Sequence, residues 1–466
     1  MPPVDSPNLV SRREGTRAPR SHEASADDEE RPPPATMLRN TVLLLGLGSS
    51  AGFLVGRPPL PSQSLQPARR PAASPTASAT ATRLAPAQPL EALRAAARVS
   101  AAPLMMATKP IKIGVVGVTG AVGQEIIDVL GNRKFPVSDL VLFASKRSAG
   151  KAMDTPFGEK MIEEFTLEAA RACDVVFLAV SGDFALEWVP QITENDGPLV
   201  IDNSSAYRCA RTPTRRLSPL ALTLAVLQPN RYDPTVPLVV PEINAEAARK
   251  SKKRVVANPN CTTAIALMAL APLHEKFGIK RCIMSTYQAA SGAGAPGMAE
   301  LEEGAAAIAN GGTAKNEVFA HPLPFNVIPH IDKFLEDDYT KEERKVTWET
   351  RKIMDLPDLP VSCTCVRIPT LRAHAEAITI ETEKPVDVKV AIQALNDSPG
   401  VVVTDDITKN LYPMPLTASK KYDVEVGRIR KNDVFGENGL DLFVCGDQLL
   451  RGAALNAVLI AEAVCD

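Results

Sequence analysis

The segment Gly117-Val-Thr-Gly-Ala-Val-Gly123 leaves few folds open to this chain. It follows an apolar run, Ile111–Val118, and leads into Ala121–Leu130, whose apolar residues have helical spacing. A buried strand that turns through glycines into a helix is how a doubly wound α/β sheet begins. Glycines at such a turn let the backbone approach a pyrophosphate, and the unpaired N–H groups of the helix start attract its charge. The spacing departs by one position from G-x-G-x-x-G, and many such turns are glycine-rich for packing alone, so the motif draws its weight from its context.

That context continues. Strand-like runs recur at Leu140–Ala144, Asp174–Val180 and Leu199–Asp202, with helical stretches at Thr166–Ala172 and Phe184–Glu194. Alternating elements of this kind predict a parallel Rossmann-type sheet over residues 109–259. An NAD site usually ends its second strand in an acid that holds the ribose 2′-hydroxyl. Here the strand ends Ala144-Ser-Lys-Arg-Ser148, and cations and hydroxyls in place of the acid suit the 2′-phosphate of NADP.

A second segment carries chemistry. Asn258-Pro-Asn-Cys261-Thr-Thr opens a long helical run, Cys261–Phe277, with a kink expected at Pro272. A thiol at a helix start is expected to have a lowered pKa and to act as a nucleophile. The competing reading of any free cysteine is a small buried hydrophobe. Eight cysteines over 466 residues are too sparse for a disulfide framework, and Cys363 and Cys365 do not have zinc-ligand spacing. A thiolate needs an acid/base partner. His22 lies near the N-terminus and His274 inside the long helix, while His321 and His330 lie in a proline-rich stretch. His374 follows a loop after Arg367, and residue types alone leave His374 and His330 both open. A strand over Ile279–Ala289 and alternating strands and helices over 374–432 are expected to build a second, α+β domain over 260–430, with a helix over Gly446–Val464 beyond it. Residues 431–466 are expected to return to the first domain.

Two segments stand apart. Residues 1–108 contain no lysine, and from Met37 to Ala107 there are seven arginines against one acid, Glu91. Such a stretch cannot bury enough apolar surface to order itself, and it reads as a disordered leader. Its apolar run, Thr41–Gly56, is short for a membrane span and reads as a signal sequence followed by a transit-like segment. Import into a plastid is expected, with a cytoplasmic protein as the alternative. The other segment, Cys209–Arg231, has 23 residues, several prolines and no clear period. A formal net charge of −2 gives no reason to expect nucleic acid as a partner.

In order along the chain, GVTGAVG, ASKRSAG, NPNCTT, STYQAASGAG, RIPTLRAHAE and CGDQLLRGAALNA resemble the motifs of aspartate-semialdehyde dehydrogenases, closest in detail to plant and algal members. The resemblance covers about 110–466 apart from the 23-residue segment. It implies NADPH-dependent reduction of 4-aspartyl phosphate to aspartate 4-semialdehyde through a thioester on Cys261, in a homodimer or homotetramer, without a metal and without stable membrane association. It implies Cys261, Gln288 and His374 as catalytic residues, and Arg208, Asn260, Glu342, Lys345 and Arg367 as substrate contacts. It implies Thr119, Gly120, Ala121, Val122, Arg147, Ser148, Ser291, Gly292 and Gln448 around the cofactor. Because Cys209–Arg231 separates Arg208 from the family-like continuation at Tyr232, Arg231 competes with Arg208 for the phosphate. N-acetylglutamyl-phosphate reductase, with related cysteine chemistry, and a homologue inactivated by that segment are the other readings.

The basic turn makes a measurable expectation. Arg147→Ala should lower the ratio of kcat/KM for NADPH over NADH by about tenfold or more, the worth of one charge-assisted contact. Steady-state kinetics with both cofactors checks it.

Overall fold

The computed structural model describes residues 109–208, 233 and 235–465. The expected leader, the segment 209–231 and Arg231 lie outside the described residues. The chain begins with β1 (Ile111–Val116), α1 (Ala121–Asn132), β2 (Val137–Ala144), β3 (Ala152–Thr155) and β4 (Gly158–Glu164). It continues with α2 (Leu167–Arg171), β5 (Val175–Leu178), α3 (Gly182–Ile192), β6 (Leu199–Asp202), α4 (Pro241–Arg249) and β7 (Val255–Ala257). The strands form one seven-stranded sheet in the order β3-β4-β2-β1-β5-β6-β7. All neighbours are parallel except β3 and β4, a hairpin that the alternation of strands and helices did not announce. The apolar runs read as buried strands are buried: every residue of β5 lies in the core, as a strand covered on both faces requires.

The second half runs α5 (Cys261–Phe277), β8 (Ile279–Gln288), α6 (Gly294–Ala309), α7 (Lys341–Ile353), β9 (Val361–Arg367) and β10 (His374–Thr382). It ends with α8 (Val388–Asn396), β11 (Val401–Val403), α9 (Pro415–Ala418), β12 (Val424–Lys431), β13 (Gly439–Gly446) and α10 (Leu455–Val464). Its sheet is mixed, in the order β11-β12-β13-β10-β8-β9. The return to the first sheet therefore starts after Gly446 and not at residue 431, because β13 pairs along its length with β10. The expected helix over Gly446–Val464 begins only at Leu450, in π geometry to Ala454, before continuing as α10.

Helix α5 shows why the halves do not have separate cores. It is apolar nearly all round, and Thr262–Ala271 are all buried. A helix buried on every side needs neighbours on every side. One hydrophobic cluster runs from Val176 and Val200 of the first sheet through Ile265–Leu270 to Met284, Ile378 and Val444 of the second. Pro272 does not break the helix, which continues to Phe277. A second cluster joins β1 and α1 to Leu455–Ala461 of α10, so the C-terminal helix does pack on the first domain. Among the described residues no helix is long and apolar enough to cross a membrane.

One core position is costly. Glu376 on β10 is fully buried, and neither carboxylate oxygen has a hydrogen-bond partner among the described residues. Burial pushes its pKa well above the usual carboxylate range. A carboxyl whose pKa is higher folded than unfolded stabilises the fold at low pH, and that contribution is lost as pH rises past the unfolded value, here 4.5. Glu376→Gln, which keeps the shape and cannot ionise, should match wild type near pH 4 and exceed it increasingly at higher pH. The gain grows by about 1.4 kcal/mol per pH unit until the buried acid ionises. Melting temperatures of both proteins from pH 4 to 9 check this; a gap independent of pH would contradict it.

Candidate active site

The site is assembled around the start of α5. Asn260 caps the helix: its Oδ1 accepts the N–H groups of Thr262 at 3.0 Å and Thr263 at 3.2 Å. Its own N–H donates to Glu349 Oε2 at 2.5 Å and its Nδ2 to Glu342 Oε1 at 2.8 Å. Two residues earlier, Asn258 Nδ2 donates to Asn203 Oδ1 at 2.8 Å, just past β6, while Asn258 Oδ1 accepts Asn456 Nδ2 of α10 at 2.6 Å. The turn carrying Cys261 is thus held from three elements. Gly452 presses on it so closely that a Cβ there would lie 2.6 Å from the Cys261 Cβ.

Glu342 is the hub of the polar groups. It accepts Asn260, Gln288 Nε2 at 3.2 Å and Lys345 Nζ at 2.9 Å, and Lys345 also pairs with Asp332 at 2.9 Å. Burial alone would raise the Glu342 pKa, but the Lys345 ammonium and these donors hold it down at about 2. The same partners keep the Lys345 pKa raised against its burial. Thr286 Oγ1 donates to Gln288 Oε1 at 3.0 Å, so both ends of the Gln288 amide are fixed. Arg208 Nη2 donates to Asn203 O at 2.6 Å, and its Nη1 faces Glu349 at 3.8 Å. Arg367 ends β9 with its Nη1 on the Ala289 carbonyl at 2.5 Å and its guanidinium 5.5 Å from the Phe319 ring centre. A cavity of about 500 Å³ opens over this group, lined among others by Cys261, Gln288, Gly292, Glu342, Lys345 and Arg367.

The two titratable groups differ from the simplest expectation. Cys261 retains some contact with solvent, yet its surroundings and the nearby Glu342 charge push the thiol up to about 12, with Arg208 and Arg367 opposing. The lowered pKa expected at a helix start is therefore not found, because desolvation outweighs it; the resting group is the thiol. His374 is fully buried behind Gly292, where an added Cβ would lie 3.5 Å from its Nε2. Burial and then the Arg367 charge lower its pKa to about 3, so it is neutral at rest. Its Nδ1 accepts the Ala289 N–H at 3.0 Å. The ring proton is therefore on Nε2, which has no hydrogen-bond partner among the described residues. His330 also lines the cavity, stacked on Phe334 with ring centres 4.5 Å apart.

The dinucleotide motif is built as its glycines imply. Gly117 has φ +91°, and a Cβ on it would meet Ala179 O at 2.4 Å. A Cβ on Gly123 would come 2.3 Å from Gly117 O. Gly120 caps α1 without a side-chain hydrogen bond and no acid stands in the first turn, which leaves N–H groups for an anion. Thr119, Gly120, Ala121 and Val122 lie at the carboxyl end of β1, and Arg147, exposed, and Ser148, buried, lie just past β2. Ser291, Gly292 and Gln448 lie on the other side, against the catalytic group: Gln448 Nε2 donates to Ser291 Oγ, and Gly292 meets Arg367 and His374. Arg208, Asn260 and His374 do not line that cavity themselves; Asn260 adjoins it through Glu342 and His374 through Gly292.

Comparison with known proteins places the chain. A family model described as semialdehyde dehydrogenase, NAD binding domain, matches residues 112–251, and one described as semialdehyde dehydrogenase, dimerisation domain, matches 270–451. The aspartate-semialdehyde dehydrogenase of Synechocystis sp. is 43% identical over 354 residues, 76% of this chain and 97% of that protein. The chain belongs to the aspartate-semialdehyde dehydrogenase family. The relative from Aquifex aeolicus is also 43% identical, over 75% of this chain and 97% of its own length. The crystal structure of aspartate semialdehyde dehydrogenase II from Vibrio cholerae, complexed with ASA, is 35% identical. It covers 76% of this chain and 98% of its own, with a TM-score of 0.68. The family is one of oxidoreductases, and its dinucleotide-binding and dimerisation domains are the two halves described above.

Sequence reasoning missed Glu349, Thr286 and Asp332. Glu349 left a trace: with Glu342 and Lys345 it has i, i+3, i+7 spacing, one face of α7, and that face is buried. Thr286 left one too, standing two residues before Gln288 on the same face of β8, whereas Asp332 left none, since its role exists only between a loop and a helix. The raised thiol pKa yields a pH-dependent expectation. Alkylation of Cys261 by iodoacetamide in the resting protein should accelerate about tenfold per pH unit from 7 to 9, following the thiolate fraction. Mass spectrometry of the labelled peptide checks it, and a plateau below pH 8 would show a low-pKa thiol.

Proposed function

We propose that this chain reduces 4-aspartyl phosphate with NADPH to aspartate 4-semialdehyde and phosphate, in the biosynthesis of lysine, threonine, methionine and isoleucine. The observation that carries the reading is a thiol at the start of α5, lining one cavity with Arg367, Lys345 and ionised Glu342. A substrate with a carboxylate, an ammonium and a phosphate finds an opposite charge for each. Arg367 takes the α-carboxylate, Lys345 and Arg208 the phosphate, and Glu342 the ammonium. An N-acetylated substrate brings no cation to Glu342, which favours the aspartyl compound over the N-acetylglutamyl one. Asn260 orients the Cys261 turn and Gln288 the acyl group.

In this reading the Cys261 Sγ attacks the acyl carbon, the bond to the phosphate oxygen breaks, and the thiol proton leaves with phosphate. A thioester remains, which divides one difficult step into two. NADPH, held by Thr119–Val122, Arg147, Ser148, Ser291, Gly292 and Gln448, supplies hydride. His374 then serves as proton donor: with Nδ1 occupied by the Ala289 N–H, Nε2–H offers its proton to the oxygen of the tetrahedral adduct. As the C–S bond breaks, the adduct oxygen returns its proton to His374 Nε2 and becomes the aldehyde carbonyl, and the Cys261 thiolate takes a proton from solvent.

A homodimer or homotetramer follows the matched dimerisation domain. Import into a plastid rests on the arginine-rich, acid-poor composition ahead of residue 109, and the location of a fluorescent fusion of residues 1–107 tests it. The decisive experiment for the chemistry is turnover of the full chain, of Cys261→Ala, and of a variant joining Arg208 directly to Tyr232. We expect no measurable reduction by Cys261→Ala. The joined variant should retain activity, since loop closure changes by only about 0.6 kcal/mol per doubling of loop length. Equal turnover by Cys261→Ala would overturn the mechanism; loss of activity in the joined variant would make 209–231 a working part of the site.

A further inference from the structure

We propose that Arg372 is a positioning residue that ties the nucleotide-binding helix α1 to His374, so that the proton donor is set from the cofactor side of the molecule. The inference rests on the reading of His374 as the proton donor. Three consecutive residues, each held by a different anchor, carry it. Arg372 Nη1 donates to Glu125 Oε1 at 2.5 Å, and its Nε donates to Asp447 Oδ2 at 2.5 Å. Ala373 N–H donates to Gln448 Oε1 at 2.7 Å. His374 Nδ1 accepts the Ala289 N–H at 3.0 Å.

The backbone at the middle residue gives the arrangement its meaning. Ala373 has φ +68°, a region that a residue with a Cβ holds only where its surroundings impose it, and it is fully buried. Its neighbours are what impose it. Asp447 is itself immobile: its Oδ1 accepts the N–H of Leu449 at 2.9 Å and its Oδ2 that of Lys420 at 2.6 Å, and it is fully buried. Glu125 is the one partner outside the second half of the chain. It lies on α1, one turn after Ala121, on the helix whose start offers its N–H groups to a dinucleotide. The pair is shielded, with Arg372 16% and Glu125 21% exposed, so it is not a solvent-screened surface contact.

The consequence is directional. With Arg372 clamped at both ends, Ala373 stays in its left-handed conformation and the His374 ring stays on Ala289, its Nε2–H beside Gly292. If the clamp opens, Ala373 relaxes to negative φ and the ring loses that placement, while the cofactor's own contacts at 119–122 and 147–148 are untouched. Loss of the clamp should therefore lower kcat and leave KM for NADPH nearly unchanged.

A double-mutant cycle on the full chain separates positioning from a merely structural role. Lysine keeps the charge but lacks the rigid fork that sends separate N–H groups to Glu125 and Asp447, so Arg372→Lys should lower kcat by about tenfold, the worth of one charge-assisted contact. KM for NADPH should change less than about twofold. His374→Asn should lower kcat further. Because Arg372 acts through His374, the double variant should equal His374→Asn alone. Glu125→Gln, which approaches the clamp from the other helix, should show the same pattern and replaces Arg372→Lys if that variant does not fold. Full additivity of the losses would overturn the proposal while leaving His374 as the donor. An unchanged kcat in His374→Asn would remove the reading of His374, and the proposal with it.

Discussion

The buried Glu342 carboxylate holds together parts of the chain that are far apart in sequence. It receives hydrogen bonds from the cap of α5, from the end of β8 and from its own helix α7. A buried carboxylate survives only where donors and an opposite charge replace the lost water, and Lys345, Asn260 and Gln288 do so. The arrangement is reciprocal. Removing any of these partners leaves charge or amide groups unpaired at low dielectric, so the donors are as firmly placed as the acid they serve. The cavity inherits its shape and its alternation of charge from this cluster, and Cys261 inherits its position.

Desolvation decides the chemistry of the resting site. The same burial that keeps Glu342 partnered keeps Cys261 a thiol and His374 a neutral imidazole. Neither group carries a charge that a substrate would have to displace. Arg208, Lys345 and Arg367 face Glu349, Asp332 with Glu342, and the Ala289 carbonyl. The cluster therefore carries charge at these side chains and none at Cys261 and His374.

The architecture makes that placement rigid. Helix α5 sits in a core shared by both sheets, and the C-terminal segment passes from β13 across the Cys261 turn, through Gly452, to α10 on the first domain. A catalytic turn gripped by both halves cannot move independently of either. The hydrogen bonds of Asn258 to Asn203 and Asn456 give the first asparagine of the NPNC segment its reason: it stitches the first sheet, the nucleophile and the last helix together.

Much of this was legible along the chain. The parallel strands, the glycine turn, the start of α5 at Cys261 and the return of the last helix all follow from local patterns. Hydrophobic period and helix-start chemistry act over a few residues, which is the range that sequence displays. The β3–β4 hairpin and the late return after Gly446 were not legible, because pairing and packing outweigh local propensity there. The sequence by itself determined which side chains are available: a thiol at a helix start, a histidine past a loop, a stripe of Glu342, Lys345 and Glu349. Only the tertiary structure decided their protonation and company. The thiol pKa rises instead of falling, the His374 proton sits on Nε2 because Ala289 donates to Nδ1, and Ala373 is held at positive φ between Arg372 and His374. Each of these depends on desolvation or on a partner far away in the sequence, and neither quantity exists until the chain has folded.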